Sequence, residues 1–215
     1  MKIQTSNGRH AFSVCEALVA WAVLVLLLVI FLPAFSRSPR QVPLFQCVNN
    51  LKQVGIAFRI WKEDNDAKLP MDVPVASGGA AELTATGNVA ACFQVMSNEL
   101  ATPRIVYCPS DTHGGLASNF GPTLTRSNVS YFIGLNASET NIETVLSGDS
   151  NPVQNGRPVR AGILNLWANT TTWTPDRHHG DGNVLVADES VLTLNKISSA
   201  PAAKTYNATN RVVVP

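Results

Sequence analysis

FSVCEALVAWAVLVLLLVIFLPAFS, residues Phe12–Ser36, is the stretch on which the reading of this chain turns. From Ala17 to Ser36 it carries twenty consecutive uncharged residues, nearly all apolar. A helix of that length spans about 30 Å, the thickness of a bilayer's hydrocarbon core. One carboxylate, Glu16, sits at the head of the run. An ionisable group at the edge of a membrane helix is costly and usually marks a function. Ahead of it, Met1–Ala11 forms a short polar leader with Lys2, Arg9 and His10.

Two ordinary membrane readings compete. A secretory signal peptide has a shorter apolar core and a small-residue cleavage site after it. Here the run is long, and Ala34-Phe35-Ser36 is a poor small-x-small match. A plain signal anchor is the stronger competitor. Flanking charge does not orient the span, because Lys2 and Arg9 lie on one side and Arg37 and Arg40 on the other. The simplest role for Glu16 is to mark the interface and favour the helix N-terminus. Among packed apolar helices it would instead need a positive partner, and the free amine of a neighbouring subunit can supply one.

The order of basic leader, Phe12, Glu16 four residues later and then the apolar helix resembles the N-terminus of type IV prepilins and type II secretion pseudopilins. That resemblance implies cleavage by prepilin peptidase between Ala11 and Phe12, N-methylation of the new terminus, and use of Glu16 to align subunits in a filament. Pro33 falls where many members carry a helix-kinking proline. Ala11 departs from the glycine the family prefers before the cut, although alanine is the next smallest residue. The same resemblance implies a bacterial inner-membrane protein with a cytoplasmic leader and a periplasmic C-terminal domain.

Beyond the first forty residues about 175 remain, enough for a single core. Sixteen basic and fifteen acidic residues nearly balance, so nucleic-acid binding has no electrostatic support. No solenoid-type repeat is visible. The expected organisation is a leader over 1–11, a transmembrane helix over 12–36, a linker over 37–43 and a globular domain over 44–215. Pro39 and Pro43 are expected to interrupt the helix in that linker. Leu44, Cys47, Val48, Leu51, Val54, Phe58 and Trp61 then recur at spacings of three and four, one face of an amphipathic helix ending near Glu63–Asp66. Residues 76–89 read as a loop and Cys92–Leu100 as a short helix. Strands are expected over Arg104–Cys108, Val129–Leu135 and Ile163–Trp173, with a closing hairpin of Asn183–Ala187 and Val191–Asn195. The fold class is α+β: a pilin-like N-terminal helix and an amphipathic helix packed on a small antiparallel sheet.

A second resemblance covers residues 12 to about 195. The run from Cys47 to Gly55 is similar to the post-membrane segment of a large group of prepilin-like proteins abundant in planctomycetes and verrucomicrobia. The group often carries Cys-Pro-Ser/Ala-Asp, matched by Cys108-Pro109-Ser110-Asp111, and Ser-Tyr-Phe-x-Gly-Leu, matched by Ser130–Leu135. It also carries a Gly-Asp element, matched at Gly148-Asp149, and a His-x9-Asp-Gly element. His178 and Asp188 have that last spacing, with Glu189 in place of the glycine. The resemblance implies a pseudopilin-like envelope protein and no particular reaction.

Asp176, His178, His179, Asp181 and Asp188 crowd into thirteen residues, a composition able to bind a metal. Adjacent histidines on a strand would point to opposite faces, which weakens a shared site. The competing account is structural: Gly180–Asn183 is strong turn chemistry, Asp188 opens the next turn by accepting backbone N–H bonds, and His178 and Asp188 meet across the strand. Some pseudopilins hold Ca²⁺ in a C-terminal loop, which makes Asp176, Asp181 and Asp188 the candidate oxygen ligands; no EF-hand spacing is present. Cys15 is an apolar filler in the membrane segment. Of Cys47, Cys92 and Cys108, two are expected to bridge in an oxidising periplasm. Cys47 and Cys108 both lie in the family-like elements, which favours that pair; Cys92–Cys108 is the alternative. No Gly-x-Ser-x-Gly, P-loop, His-Glu-x-x-His or dinucleotide fingerprint occurs, and the expected role is structural rather than enzymatic. The expected partners are the membrane, prepilin peptidase, other pseudopilins or further copies of this chain, and a secretion assembly platform. The competing class is an unprocessed, membrane-anchored envelope module that binds an ion or a polymer.

Overall fold

A computed structural model describes residues 13–35, 41–138, 144–166, 171–195 and 211–215. Ala11, Phe12 and Pro39 lie outside them. The chain forms two compact units, Met1–Gln41 and Val42–Pro215.

The first unit is helix α1, Val14–Phe35. Its stretch Val14–Phe31 is long and apolar enough to cross a membrane, and all of it is exposed. The helix starts where it does because Ser13 and Glu16 cap it reciprocally. Ser13 Oγ accepts from the Glu16 N–H at 3.2 Å, and Glu16 Oε2 accepts from the Ser13 N–H at 2.9 Å. This Ser-x-x-Glu capping box satisfies two N–H groups that the helix itself leaves unbonded.

The second unit opens with α2, Gln41–Asp64. It begins inside the segment expected to be a linker. Pro43 is tolerated there because the first turn of a helix has no use for its missing N–H. The periodic face is the buried one: Cys47, Leu51, Val54, Phe58 and Trp61 enter the core, together with Ala57. Gly55 lets α2 approach the sheet closely, since a Cβ there would stand 3.2 Å from the Leu185 side chain. Short helices follow: α3 Ala81–Ala85, α4 Val89–Val95 and α5 Ser97–Leu100. The expected loop over 76–89 therefore contains a helix, and the expected helix over Cys92–Leu100 is two, broken at Met96. Arg104–Cys108 is not a strand. Pro103 starts a 3-10 turn over Pro103–Val106, capped by Thr102, and a proline at that first position favours the turn.

Among the described residues the strands that follow are β1 Tyr131–Gly134, β2 Val145–Asp149, β3 Pro152–Gln154, β4 Arg157–Pro158, β5 Gly162–Asn165, β6 Thr171–Trp173, β7 Gly182–Val186, β8 Val191–Leu194 and β9 Arg211–Val214. Six form an antiparallel sheet in the order β5-β9-β1-β2-β7-β8, and β4-β3-β6 form a smaller one. The expected strand over Ile163–Trp173 is two strands in different sheets. The β7–β8 hairpin pairs Leu185 with Val191 and Gly182 with Leu194, as the turn chemistry between them suggested.

Strand alternation sorts the core into two layers. Tyr131, Ile133, Leu185 and Val213 pack with α2 and α4. Their strand neighbours Phe132, Val184, Val186, Val212 and Val214 pack on the other face with Leu166 and Trp173. Both faces of the larger sheet are covered, so its central strands are buried at every position.

Candidate functional site

Four of the family-like sequence elements meet at one end of the larger sheet. Cys108-Pro109-Ser110-Asp111 makes a tight turn, with the Asp111 N–H donating to the Cys108 carbonyl at 2.9 Å. Pro109 suits the second position of such a turn. Cys108 is disulfide-bonded to Cys47 of α2, with Cα atoms 5.4 Å apart. The alternative partner, Cys92, is a free thiol buried in the core, and Cys15 is free and exposed. Burial, reinforced by the charge of Asp72, pushes the Cys92 thiol far up.

Asp111 is the acceptor at the centre. Its Oδ2 takes the Ser130 hydroxyl at 2.7 Å and pairs with the Arg177 guanidinium; its Oδ1 takes the His113 N–H at 3.0 Å. Arg177 also donates through Nη1 to the Ser130 carbonyl and the Ser150 hydroxyl, each at 3.2 Å. Both side chains of this ion pair are about 95% buried, 6% and 5% exposed. Burial alone would raise the Asp111 pKa, but Arg177, Ser130 and the His113 N–H outweigh it and hold the carboxyl below its ordinary value. A buried pair of this kind is sound only when its remaining polar groups are satisfied. Here Arg177 Nε is the one buried atom of the pair without a partner.

Asp149, the acid of the Gly-Asp element, lies deeper. Its Oδ2 accepts from the Asn183 backbone N–H at 2.8 Å and from Asn183 Nδ2 at 2.9 Å. Thr193 in turn donates to Asn183 Oδ1 at 2.7 Å. Gly148 beside it cannot be replaced freely: a Cβ would come within 2.6 Å of the Phe132 ring and 2.8 Å of the Asn183 carbonyl. His178 Nε2 stands 3.7 Å from Asp149 Oδ2 and 3.4 Å from Cys108 Sγ. Desolvation raises the Asp149 pKa to about 7, and desolvation with the nearby Arg177 charge lowers that of His178 to about 4. The imidazole is therefore neutral at physiological pH, and its contact with Asp149 is not a salt bridge.

These two shifts oppose each other in the pH dependence of folding. Asp149 binds its proton more tightly in the fold, so its contribution declines as pH rises from about 4 to about 7. His178 binds its proton less tightly in the fold, so its contribution is lost as pH falls from 6.5 to about 4. Asp149→Asn keeps an acceptor for Asn183 and deletes the first effect. Its stability relative to wild type should climb across pH 4–7, at up to ~1.4 kcal/mol per pH unit. Urea midpoints for both proteins at several pH values check this, and parallel profiles would refute it.

The predicted site residues are not assembled as expected. His178 and His179 occupy a 3-10 turn over His178–Gly180, not a strand, and both have positive φ, 47° and 60°. Left-handed backbone at two successive non-glycine residues is strained, and such strain gathers at functional or tightly determined positions. His178 is buried and His179 exposed. The nine residues between His178 and Asp188 include all of β7, so the two stand at opposite ends of that strand rather than in contact. Asp188 caps its own turn, accepting the Ser190 N–H at 2.8 Å. Glu189 takes φ 69°, the conformation for which glycine is suited, and its side chain pairs with Arg59 of α2. Asp176, Asp181 and Asp188 do not converge. Asp176 accepts from Thr174 and lies 3.7 Å from His113 Nε2. Among the described residues, one His/Cys/Asp/Glu group has metal-ligand spacing: Cys47, Cys108 and His178.

Reasoning from sequence missed Arg177 and His113. Arg177 adjoins the noted His178, but a single arginine in a polar segment carries no signal of burial. The ion pair forms part of the floor of a cleft of about 770 Å³, lined also by Arg126, Asn151, Arg160 and Asp176.

No protein-family model, curated protein or solved structure matches this chain.

Proposed function

We propose that this chain is a structural, pseudopilin-like subunit and not an enzyme. It is held in a bacterial inner membrane by one apolar helix, with the Val42–Pro215 unit in the periplasm. The observation that carries this reading is α1: an exposed apolar span with its single carboxylate, Glu16, at the first turn. In the isolated chain that carboxylate rests on the Ser13 N–H. In a filament the terminal amine of a neighbouring subunit, freed by prepilin peptidase before Phe12, takes over that role. The partners are other pseudopilins or copies of this chain on a secretion assembly platform. The disulfide between Cys47 and Cys108 suits an oxidising compartment.

A second reading is favoured by the cleft beside Arg177 and Asp111. In it the chain is not processed and serves as an anchored envelope module that binds a ligand. Mass spectrometry of the N-terminus from native membranes separates the two. A terminus at Phe12, N-methylated, is the expected result. An intact leader starting at Met1 or Lys2 would remove the filament mechanism and leave the anchored module.

A further inference from the structure

We propose that the cleft above the Arg177–Asp111 pair binds an acidic peptide segment of a partner protein, with Arg126 and Arg160 taking its carboxylates and Asp176 accepting one of its backbone N–H groups. The proposal names the ligand of the anchored module and rests on reading this cleft as a ligand site. The cleft holds about 770 Å³, a size typical of ligand sites. Its lining comes from separate parts of the domain: the Cys108 turn and the 3-10 turn at Arg126 on one side, the ends of β3, β4 and β6 on the other.

The charges of the lining decide what it can hold. Arg177 and Asp111 are buried against each other and neutralise one another. That leaves Arg126 and Arg160, both exposed, facing one remaining acidic side chain, Asp176. Neither arginine has an ion pair or a side-chain hydrogen bond among the described residues. A guanidinium presents a planar fork of donors that matches a carboxylate. Asp176 is open enough to serve from the other side. Its carboxyl is 38% exposed; Oδ1 accepts from Thr174, while Oδ2 has only His113 Nε2 near it, at 3.7 Å. An acceptor beside two cations suits a ligand that carries both carboxylates and N–H donors, as an acidic peptide does.

Other anions fit less well. Phosphate offers dense negative charge, which Asp176 repels, and nothing apolar to set against Pro152, Pro158, Val159 and Pro175. Among the described residues no Phe, Tyr or Trp lines the cleft, so a sugar ring finds no aromatic face to stack on. Aliphatic stems that end in carboxylates match both the apolar wall and the two arginines. Strand addition is not the mode of binding: Pro158 lies on β4, an outer strand of the smaller sheet, and has no N–H to give an added strand. Recognition therefore falls to the side chains of the cleft.

The test titrates the full chain in detergent against a fluorescent decapeptide of alternating alanine and glutamate with blocked ends. Saturable binding is expected, weakening as salt rises from about 50 to 300 mM, the range over which exposed charges become screened. The same peptide with glutamine in place of glutamate binds far less. Arg126→Ala and Arg160→Ala each weaken binding by about threefold, as exposed ion pairs do. The double variant Arg126→Glu with Arg160→Glu loses the glutamate peptide and gains an alanine–lysine one. Both positions are exposed, so the urea midpoint of that variant stays near wild type. The proposal is overturned if no binding saturates by about 1 mM peptide, if the glutamine peptide binds equally, if phosphate or polygalacturonate displaces the peptide at equal concentration of anionic groups, or if the double reversal changes nothing. Cleavage before Phe12 is read separately: a cleaved chain that binds keeps this site and loses the anchored module, whereas an uncleaved chain that does not bind keeps the anchor and loses this ligand.

Discussion

Arg177→Met is expected to destabilise the Val42–Pro215 unit by about 3–5 kcal/mol, the usual consequence of leaving a buried charge without its partner. Asp111 is 5% exposed and would keep its charge among groups arranged for Arg177. The loss also removes the Arg177 Nη1 bonds to the Ser150 hydroxyl and to the Ser130 carbonyl, leaving that carbonyl with the Ser150 N–H. Those two groups belong to the ends of neighbouring segments: the Ser150 N–H donates to the Ser130 carbonyl at 2.9 Å, and Ser130 itself donates to Val106. The arginine thus ties the turn after the 3-10 segment to the start of β1 and the end of β2. The check is a double-mutant cycle in urea. Arg177→Met with Asp111→Leu should recover much of the single-variant loss, because a buried pair replaced by apolar groups is often neutral. A single-variant loss below 1 kcal/mol would mean that solvent already screens the pair.

Removing the disulfide, by reduction or by Cys47→Ala with Cys108→Ala, is expected to cost about 4 kcal/mol. The bridge closes a loop of sequence separation 61, and the loop-closure entropy it removes from the unfolded chain is of that size. Its position makes the effect large in a second way. Cys47 lies on the buried face of α2, and Cys108 opens the turn that presents Asp111. The bridge holds the helical layer against the end of the sheet where the polar cluster sits. Denaturant midpoints with and without a phosphine reductant, in metal-free buffer, measure it. The two effects are also expected to couple, since Cys108 and Asp111 share one turn. Additive losses in the triple variant would show that bridge and ion pair act independently.

The parts of this fold legible in the sequence are those with local causes. α2 follows from the spacing of Cys47, Leu51, Val54, Phe58 and Trp61, because a 3.6-residue period needs no knowledge of what covers the face. The β7–β8 hairpin follows from alternating apolar residues around a polar turn. The apolar span needs only length and composition. Reading failed where a local signal was overridden or lacking. Arg104–Cys108 reads as a strand stopped by Pro109, but Pro103 and the Thr102 cap wind Pro103–Val106 into a 3-10 segment. The Ser-x-x-Glu spacing of Ser13 and Glu16 does encode the capping box that starts α1.

The polar cluster was legible as motifs and illegible as a site. Cys108, Asp111, Ser130, Asp149 and His178 each stand in a separate sequence element, and the His-x9-Asp spacing pairs His178 with Asp188. Tertiary structure reassigned it: a whole strand separates His178 from Asp188, whereas β2 and the Cys108 turn bring Asp149 and Cys108 beside it. Sequence alone determined that an apolar helix with one carboxylate at its head precedes a domain with an amphipathic first helix. These features depend on the order of residues within a few turns. Only the tertiary structure decided that β9, from the far end of the chain, pairs between β5 and β1, and that Arg177 is the buried partner of Asp111. Strand order and burial depend on contacts between residues far apart in the chain, and no local pattern of side chains encodes them.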